Sequence, residues 1–253
     1  MKLYDNARTV ENESQLLADF QRRSQRCYQQ NKHIANIQYA EQPRSTLDLF
    51  PCDAETTVIF IHGGYWQWCE KSDFAFIAPE ILAQHCQCIL LEYDLAPRST
   101  LSQMVLQIQH ALDFIEQQIW RTKHVILVGH SAGAHLAALH MSHPMVSQTI
   151  LLSGIYDLAP IQNTHLNPAL KLSSTDLQQF SPIHDQTKMR KPYKIVYGAD
   201  ELAELIEQSE DYFKVRQLID QDRVSIECCS AVNHYSIVEH YFKTALSKHL
   251  RTL

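Results

Sequence analysis

The segment HVILVGHSAGAHLAA, at residues 124–138, joins two different hydrophobic patterns. Residues 124–128 form a β-branched and leucine-rich run typical of a short buried strand, and the alanine-rich residues after Ser131 are typical of a helix. Gly129 and Gly133 lie two positions before and after Ser131, which is the GxSxG spacing of a nucleophile elbow. The segment therefore predicts a strand, a sharp turn and a helix, with the Ser131 hydroxyl exposed at the sheet edge. The alternative is a structural serine in the first turn of a helix.

Glycine is scarce in the chain, and its positions favour the elbow. Each glycine follows an apolar, strand-like run, at the end where open α/β sheets bind their ligands. The six glycines are Gly63, Gly64, Gly129, Gly133, Gly154 and Gly198. This distribution indicates special backbone geometry around a single site.

A second motif follows the strand-like run at residues 58–61, where the chain continues as HGGYW. The pair Gly63 and Gly64 leaves backbone amides unobstructed, as an oxyanion hole requires where charge develops on a tetrahedral intermediate. The alternative is a plain glycine turn with aromatic residues packed over it. Because the elbow lies downstream, the oxyanion role is favoured.

Strand-like and helical patterns alternate along most of the chain, which predicts an α/β fold with a mostly parallel sheet and helices on both faces. Short segments at residues 37–39 and 46–50 are candidates for antiparallel edge strands. We expect one domain, 1–253, with an N-terminal helical arm at about 1–33. Residues at about 155–190 form an insertion between strands, which either shapes a substrate pocket or packs inertly on the surface.

A serine, an acid and a histidine occur in the chain order of α/β hydrolases. His234 lies in a loop after the last strand-like run and is the candidate general base, whereas His240 falls in the following helix. Asp200 and Glu201 are adjacent after the preceding strand-like run, and either carboxylate type can orient a histidine. The acid that does not act in this way is expected to stabilise a helix N-terminus.

Composition excludes several partners. The 253 residues carry a formal net charge of -6, and no basic stripe suited to nucleic acid or an anionic membrane is present. The N-terminus is polar, and no run approaches the ~18 apolar residues of a membrane span. We therefore expect a cytoplasmic protein that acts on a small molecule, without nucleic-acid or membrane partners. The oligomeric state stays open, a homodimer included.

No metal or other cofactor is expected. The seven cysteines are an odd number, and Cys86, Cys88, Cys228 and Cys229 fall in or beside strand-like runs, where a free thiol behaves as a small hydrophobe. No disulfide framework is expected. No HExxH or paired CxxC spacing occurs. His130, His135 and His140 recur every five residues, which would scatter them around a helix.

Several segments together resemble the kynurenine formamidase (arylformamidase) branch of the α/β hydrolases. They are HGGYWQ at 62–67, EYDLAP at 92–97, GHSAGAHLAA at 129–138, SGIYDL at 153–158 and EQS at 207–209. The resemblance extends over about residues 57–240. HGGYW followed by GHSAGAHLAA is fairly specific, whereas GxSxG alone does not separate this branch from lipases and carboxylesterases.

The resemblance implies roles for individual residues. Ser131 is the implied nucleophile and His234 the base, with oxyanion amides from Gly63, Gly64 and Ala132. The family places its acid three residues after a strand-end glycine, usually as aspartate. Glu201 has that spacing here and is preferred, and Asp200, one residue earlier, is the alternative.

The resemblance also implies a substrate. A metal-free serine hydrolase would cleave N-formyl-L-kynurenine to L-kynurenine and formate, in tryptophan catabolism. Tyr65, Trp66 and Trp68 are candidates to stack on its aryl group, or are simply wall packing. A carboxylesterase acting on short-chain acyl or aryl esters is the alternative function. A non-catalytic binding module is less favoured, because such proteins commonly lose the serine or the histidine.

Overall fold

The computed structural model describes residues 3–250, and its centre is a single eight-stranded sheet. The strands are β1 (Ile34–Gln38), β2 (Thr46–Phe50), β3 (Thr56–Ile61), β4 (Cys86–Leu91), β5 (His124–His130), β6 (Gln148–Leu152), β7 (Tyr193–Gly198) and β8 (Val224–Cys229). Their order across the sheet is β1-β2-β4-β3-β5-β6-β7-β8. β1 and β2 pair antiparallel, β2 pairs antiparallel with β4, and every other pairing is parallel. The predicted α/β class with a mostly parallel sheet is confirmed.

Ten α-helices connect and cover these strands within the described range. They are α1 (Glu13–Gln30), α2 (Ala78–Leu82), α3 (Leu101–Glu116), α4 (Ala132–Leu139), α5 (Ala159–Gln162), α6 (Asn167–Leu170), α7 (Ser174–Phe180), α8 (Ala203–Asp220), α9 (Ser236–His240) and α10 (Leu246–Leu250). A π-helical turn, Tyr241–Ala245, joins α9 to α10. None of the helices between residues 3 and 250 has the length and apolar character needed to cross a lipid bilayer.

Successive side chains of β3 bury against opposite faces of the sheet. Ile59 and Ile61 belong to one hydrophobic cluster, and Val58 and Phe60 belong to another. Strands buried on both faces need apolar residues at every position, which explains the unbroken apolar runs in the central strands. The core is therefore two layers of side chains, one on each side of the sheet.

The register of the parallel strands brings their carboxyl ends to one edge. Ile61, at the end of β3, pairs with Gly129 in β5, and His130 pairs with Leu152 at the end of β6. Gly198, at the end of β7, pairs with Cys229 in β8. The loops that follow these strands are therefore neighbours, as expected for the ligand-binding edge of an open α/β sheet.

The N-terminal arm contains α1, which packs against the 3₁₀ helix Lys71–Ile77. An asparagine, Asn12, caps α1 by accepting from the Gln15 amide. The insertion after β6 holds the three short helices α5, α6 and α7. All seven cysteines are free thiols.

Candidate active site

Ser131 occupies the turn between β5 and α4 with φ 56° and ψ -120°. This backbone conformation is strained for a residue with a side chain. It is held by the Ser131 amide, which donates to the Leu152 carbonyl at 2.8 Å. A Cβ atom at Gly129 would lie 2.2 Å from the Gly133 carbonyl oxygen. The GxSxG spacing is thus a steric requirement of this turn.

Ser131 is only 2 % exposed, so the expected exposed hydroxyl is corrected. The residue lines a cavity of about 310 Å³, which is covered from the N-terminal side. The N-terminal residues in the lining are Tyr4, Asp5, Asn6, Ala7, Glu13, Leu17 and Phe20. Within the insertion, His165 and Leu166 also line the cavity. The sheet edge alone would leave the serine open, but the arm folds back over it.

His234 lines the same cavity and contacts a buried carboxylate. Its Nδ1 donates to Oε2 of Glu201 at 2.9 Å. The other oxygen, Oε1, accepts from the Ser153 hydroxyl at 2.5 Å and from the Gly198 amide at 2.7 Å. Asp200 is exposed. The structure therefore brings Glu201, and not Asp200, to the histidine.

The second nitrogen of His234 makes no hydrogen bond to Ser131 or to any other residue of the described chain. Such bonds in ligand-free sites are often long and tighten only when substrate is present. The neighbouring His130 stabilises the loop that carries His234, because Nε2 of His130 lies 2.9 Å from the His234 carbonyl oxygen. Burial and the neighbouring His234 keep the pKa of His130 well below its usual value. His130 is therefore a neutral ring that donates to this carbonyl.

The spacing of three histidines suggested positions around one helix, and the structure corrects this. His130 is the last residue of β5, and only His135 lies within α4. The Nε2 of His135 lies 2.7 Å from the Phe180 carbonyl oxygen, and burial lowers its pKa to about 4. His140 ends α4 as its C-cap. These rings have separate structural contacts.

The HGG loop approaches the nucleophile closely. A Cβ atom on Gly63 would lie 2.9 Å from the Ser131 Cβ, so only glycine permits this distance. Gly64 has φ +100°, and its carbonyl accepts from the Trp68 amide at 2.9 Å. Its own amide has no acceptor within residues 3–250. Ala132 begins α4, where amides have no intrahelical acceptor. These amides are available to a ligand oxygen.

A buried carboxylate, Glu92 of the EYDLAP segment, supports this loop. It accepts from Arg44 at 2.7 Å, from Nε2 of His62 at 2.9 Å, and from the amides of Lys71 and Tyr93 at 3.0 and 3.1 Å. Burial opposes its charged form, but His62 and Arg44 more than offset that effect, so the pKa of Glu92 lies below its usual value. Apart from the resemblance, no pattern in the sequence indicated this network.

The three aromatic candidates separate in the structure. Tyr65 lines the cavity, and Trp68, 52 % exposed, lines it as well. Trp66 is fully buried and packs edge-on against His135, with ring centroids 5.0 Å apart. The prediction that Trp66 binds substrate is therefore corrected. Its ring fills the core behind the loop, because adjacent side chains of the loop point in different directions.

Potential metal ligands gather at one place in the described part of the chain, outside the cavity. Asp113 and Glu116 of α3 lie with His143, whose Nε2 is 3.0 Å from Oδ1 of Asp113. Both carboxylates are partly exposed. This group does not include Ser131 or His234.

Comparisons with known proteins agree with the fold class. Residues 58–211 match a family model described as the alpha/beta hydrolase fold. A protein of Salmo salar named kynurenine formamidase is 30% identical over 223 residues, covering 81% of this chain and 76% of that protein.

Two solved structures share the fold at low sequence identity. A Silicibacter sp. tm1040 protein assigned as a thioesterase superposes with a TM-score of 0.86 at 22% identity, covering 99% of this chain and 97% of that chain. Esterase B from Lactobacillus rhamnosis superposes with a TM-score of 0.74 at 18% identity, covering 95% of both chains.

Proposed function

The chain belongs to the kynurenine formamidase branch of the alpha/beta hydrolase family and is a hydrolase, and we propose that it is a serine-dependent arylformamidase. The substrate we propose is N-formyl-L-kynurenine, and the products are L-kynurenine and formate. One observation carries the mechanism: Ser131 at the strained elbow shares a cavity with His234, whose Nδ1 donates to the buried Glu201.

In the first half-reaction, His234 takes the Ser131 proton as the serine oxygen attacks the formamide carbonyl carbon. The carbonyl oxygen becomes an oxyanion, and we assign its stabilisation to the amides of Gly63, Gly64 and Ala132. When the intermediate collapses, the C–N bond breaks and His234 returns the proton to the arylamine. The product of this half is a formyl ester on Ser131.

In the second half-reaction, His234 removes a proton from water as the water oxygen attacks the formyl ester. The bond to Ser131 breaks, the serine recovers its proton from His234, and formate leaves. Glu201 keeps Nδ1 of His234 protonated and the ring oriented through both halves. We propose that no metal takes part, because the chain itself supplies the nucleophile, the base and the oxyanion donors.

The similarity to the Salmo salar protein named kynurenine formamidase supports a formamide over an ester as the natural substrate, because it extends over most of both chains. The cavity of about 310 Å³ has the size of a pocket for a small ligand, and Tyr65 and Trp68 line it. An aryl ring of the substrate would contact these two side chains.

A carboxylesterase is the second candidate function. The same serine, histidine and amides cleave short-chain acyl or aryl esters by identical steps, and a solved esterase shares this fold. The two functions differ in the leaving group, since a formamide requires the amine nitrogen to be protonated as it departs.

The test is a substrate panel with the purified protein. Catalytic efficiency on N-formyl-L-kynurenine is expected to exceed that on p-nitrophenyl acetate after each is corrected for its uncatalysed rate. Formate release gives the formamide rate directly, and the Ser131→Ala variant supplies the background. Ester turnover without detectable formate would transfer the assignment to carboxylesterase.

A further inference from the structure

We propose that the N-terminal arm positions the catalytic base. Glu13, the first residue of α1, binds the side chain of Tyr235 and thereby fixes the loop that carries His234. This role rests on the proposed function, because it acts on the reaction only through His234. Glu13 and Tyr235 are thus positioning residues, and they lie 222 residues apart in the chain.

The contact between the arm and the loop is a short hydrogen bond, which the Tyr235 hydroxyl donates to Oε1 of Glu13. Tyr235 is buried and Glu13 is half-buried, so water has little access to the pair. Burial and the Glu13 carboxylate raise the pKa of Tyr235, and the hydroxyl therefore remains a donor. Hydrogen bonds to an ionised acceptor are stronger than those between neutral groups, so this contact can restrain the loop.

Tyr235 transmits this restraint to the base, because it directly follows His234 and contacts its ring. The phenol meets the imidazole edge-on, with ring centroids 6.0 Å apart and an angle of 85° between the ring planes. Glu201 binds Nδ1 of the imidazole, and Nε2 of His130 lies 2.9 Å from the His234 carbonyl oxygen. The arm supplies the third restraint, at the side chain that follows the base.

The hydrogen bonds within the loop do not replace this restraint. Oδ1 of Asn233 accepts from the amides of Tyr235 and Ser236, both at 3.0 Å, and these bonds fix the start of α9. They leave the His234 ring free to move with the loop. A displacement of about 1 Å at a reacting group can cost ~10²-fold in rate, so the position of this loop matters for proton transfer from Ser131.

Helix α1 is itself anchored to the body of the protein, which allows Glu13 to act from a fixed position. The Ser24 hydroxyl donates to the Asp73 carbonyl oxygen at 2.8 Å, in the 3₁₀ helix beneath α1. Nη1 of Arg23 donates to Oε1 of Glu239 at 3.0 Å, in α9. Because α9 directly follows the catalytic loop, α1 binds this region at two points, Tyr235 and Glu239.

The first measurement is of kcat and KM for Glu13→Ala and Tyr235→Phe, with N-formyl-L-kynurenine and with p-nitrophenyl acetate. Each variant is expected to lower kcat by about 10-fold and to leave KM nearly unchanged, because a displaced base slows the reaction without weakening substrate binding. A loss confined to KM would show that Glu13 contacts the substrate and would overturn the positioning role.

A double-mutant cycle tests whether the two residues act through their hydrogen bond. The variant that combines Glu13→Ala with Tyr235→Phe should be no slower than either single variant, because each substitution removes the same interaction. Glu13→Gln keeps an acceptor oxygen and should recover part of the kcat that Glu13→Ala loses. Losses that multiply in the double variant, or a Glu13→Gln variant as slow as Glu13→Ala, would contradict the proposal.

Two control variants match these substitutions. Glu11→Ala removes an exposed acid from the arm, outside the cavity lining. Tyr28→Phe removes another tyrosine–carboxylate bond between α1 and the body, since the Tyr28 hydroxyl donates to Oδ2 of Asp48 at 2.6 Å away from the cavity. Both controls should keep the wild-type kcat, and thermal unfolding reports any loss of stability. A kcat as low in Tyr28→Phe as in Tyr235→Phe would indicate general loosening of the arm and overturn the specific role.

The rate at which a fluorophosphonate labels Ser131 separates this inference from the proposed substrate. Labelling depends on activation of the serine by His234 and needs no substrate, and we expect it to be about 10-fold slower in Glu13→Ala and Tyr235→Phe than in the wild-type protein and the controls. Slower labelling without any formamide cleavage would refute the substrate and support the arm's role. Formamide cleavage with wild-type kcat in both variants would support the function and overturn the positioning role.

Discussion

Oε2 of Glu201 lies 2.9 Å from Nδ1 of His234, and this contact joins the end of β7 to the loop after β8. The Glu201 side chain is fully buried, and its second oxygen is held by the Gly198 amide and the Ser153 hydroxyl. A glutamate occupies the position where the resembling family usually has aspartate. Three hydrogen bonds fix this longer side chain in one orientation.

Glu201→Gln is expected to lower kcat by up to ~10⁴-fold, whereas Asp200→Asn leaves it nearly unchanged. Glutamine keeps the shape but removes the charge that stabilises the imidazolium and fixes the tautomer. The measurement is kcat at fixed pH for both variants. A large loss in Asp200→Asn with a near-normal Glu201→Gln would reverse the assignment of the acid.

Ser153→Ala is expected to lower kcat by about 10-fold with little change in KM, because Glu201 loses a donor that orients it. The pH profile of kcat should shift together with the rate, since the environment of the Glu201 and His234 pair changes. Ser209→Ala is the control: Ser209 is also fully buried, and its hydroxyl has no partner in the described structure. A rate loss in Ser153→Ala with an unchanged pH profile would indicate a purely structural effect.

A fluorophosphonate probe is expected to label Ser131 and no other residue. Ser131→Ala should fold normally and lose several orders of magnitude in activity, because only binding and oxyanion effects remain. Peptide mapping identifies the labelled serine, and thermal unfolding checks the fold of the variant. Normal turnover by Ser131→Ala would refute the serine mechanism.

Exhaustive chelation is expected to leave the rate unchanged, because no step of the proposed mechanism uses a metal. The group formed by Asp113, Glu116 and His143 lies outside the cavity and gives the matched control. Asp113→Asn should not alter activity with or without chelator. Activity that is lost in chelator and restored by zinc or manganese would contradict the metal-free mechanism.

Glu92→Gln is expected to reduce the free energy of unfolding at pH 7 by roughly 2 kcal/mol, because Arg44 and His62 lose a buried charged partner. The pKa of Glu92 is lowered in the folded protein, so its contribution is complete above the unfolded value of about 4.5 and is lost as pH falls through the folded value. The free energy of unfolding of Glu92→Gln should therefore decrease less steeply than that of the wild-type protein as the pH falls.

Urea unfolding between pH 7 and pH 3 measures this difference. Glu55→Gln is the control, because Glu55 is an exposed glutamate just before β3. Parallel stability curves for Glu92→Gln and the wild-type protein would show that the Glu92 carboxylate makes no charge-dependent contribution.

Patterns in the sequence were sufficient to predict the fold class and the local geometry of the elbow. Runs such as residues 125–128 and 58–61 are apolar at every position, which only a sheet covered on both faces accommodates. The turn at Ser131 is also local, because Gly129 and Gly133 must contact each other across it. Interactions between residues close in the chain set both features, so pattern and spacing were sufficient.

Which of two neighbouring side chains reaches the cavity depends on the tertiary structure. Asp200 and Glu201 are adjacent, as are Tyr65 and Trp66, and in each pair the chemistry of the side chains left the choice open. Consecutive side chains at a strand end or in a tight loop point in different directions, so one enters the site and the other does not.

The position of the N-terminal arm was also not predictable from the sequence. Asp5 and Glu13 line the cavity with Ser131, although each lies more than a hundred residues before Ser131 in the chain. The sequence predicted a helix for the arm but not the part of the body on which it lies. That position depends on packing between surfaces that form only after the sheet has assembled, which no local pattern encodes.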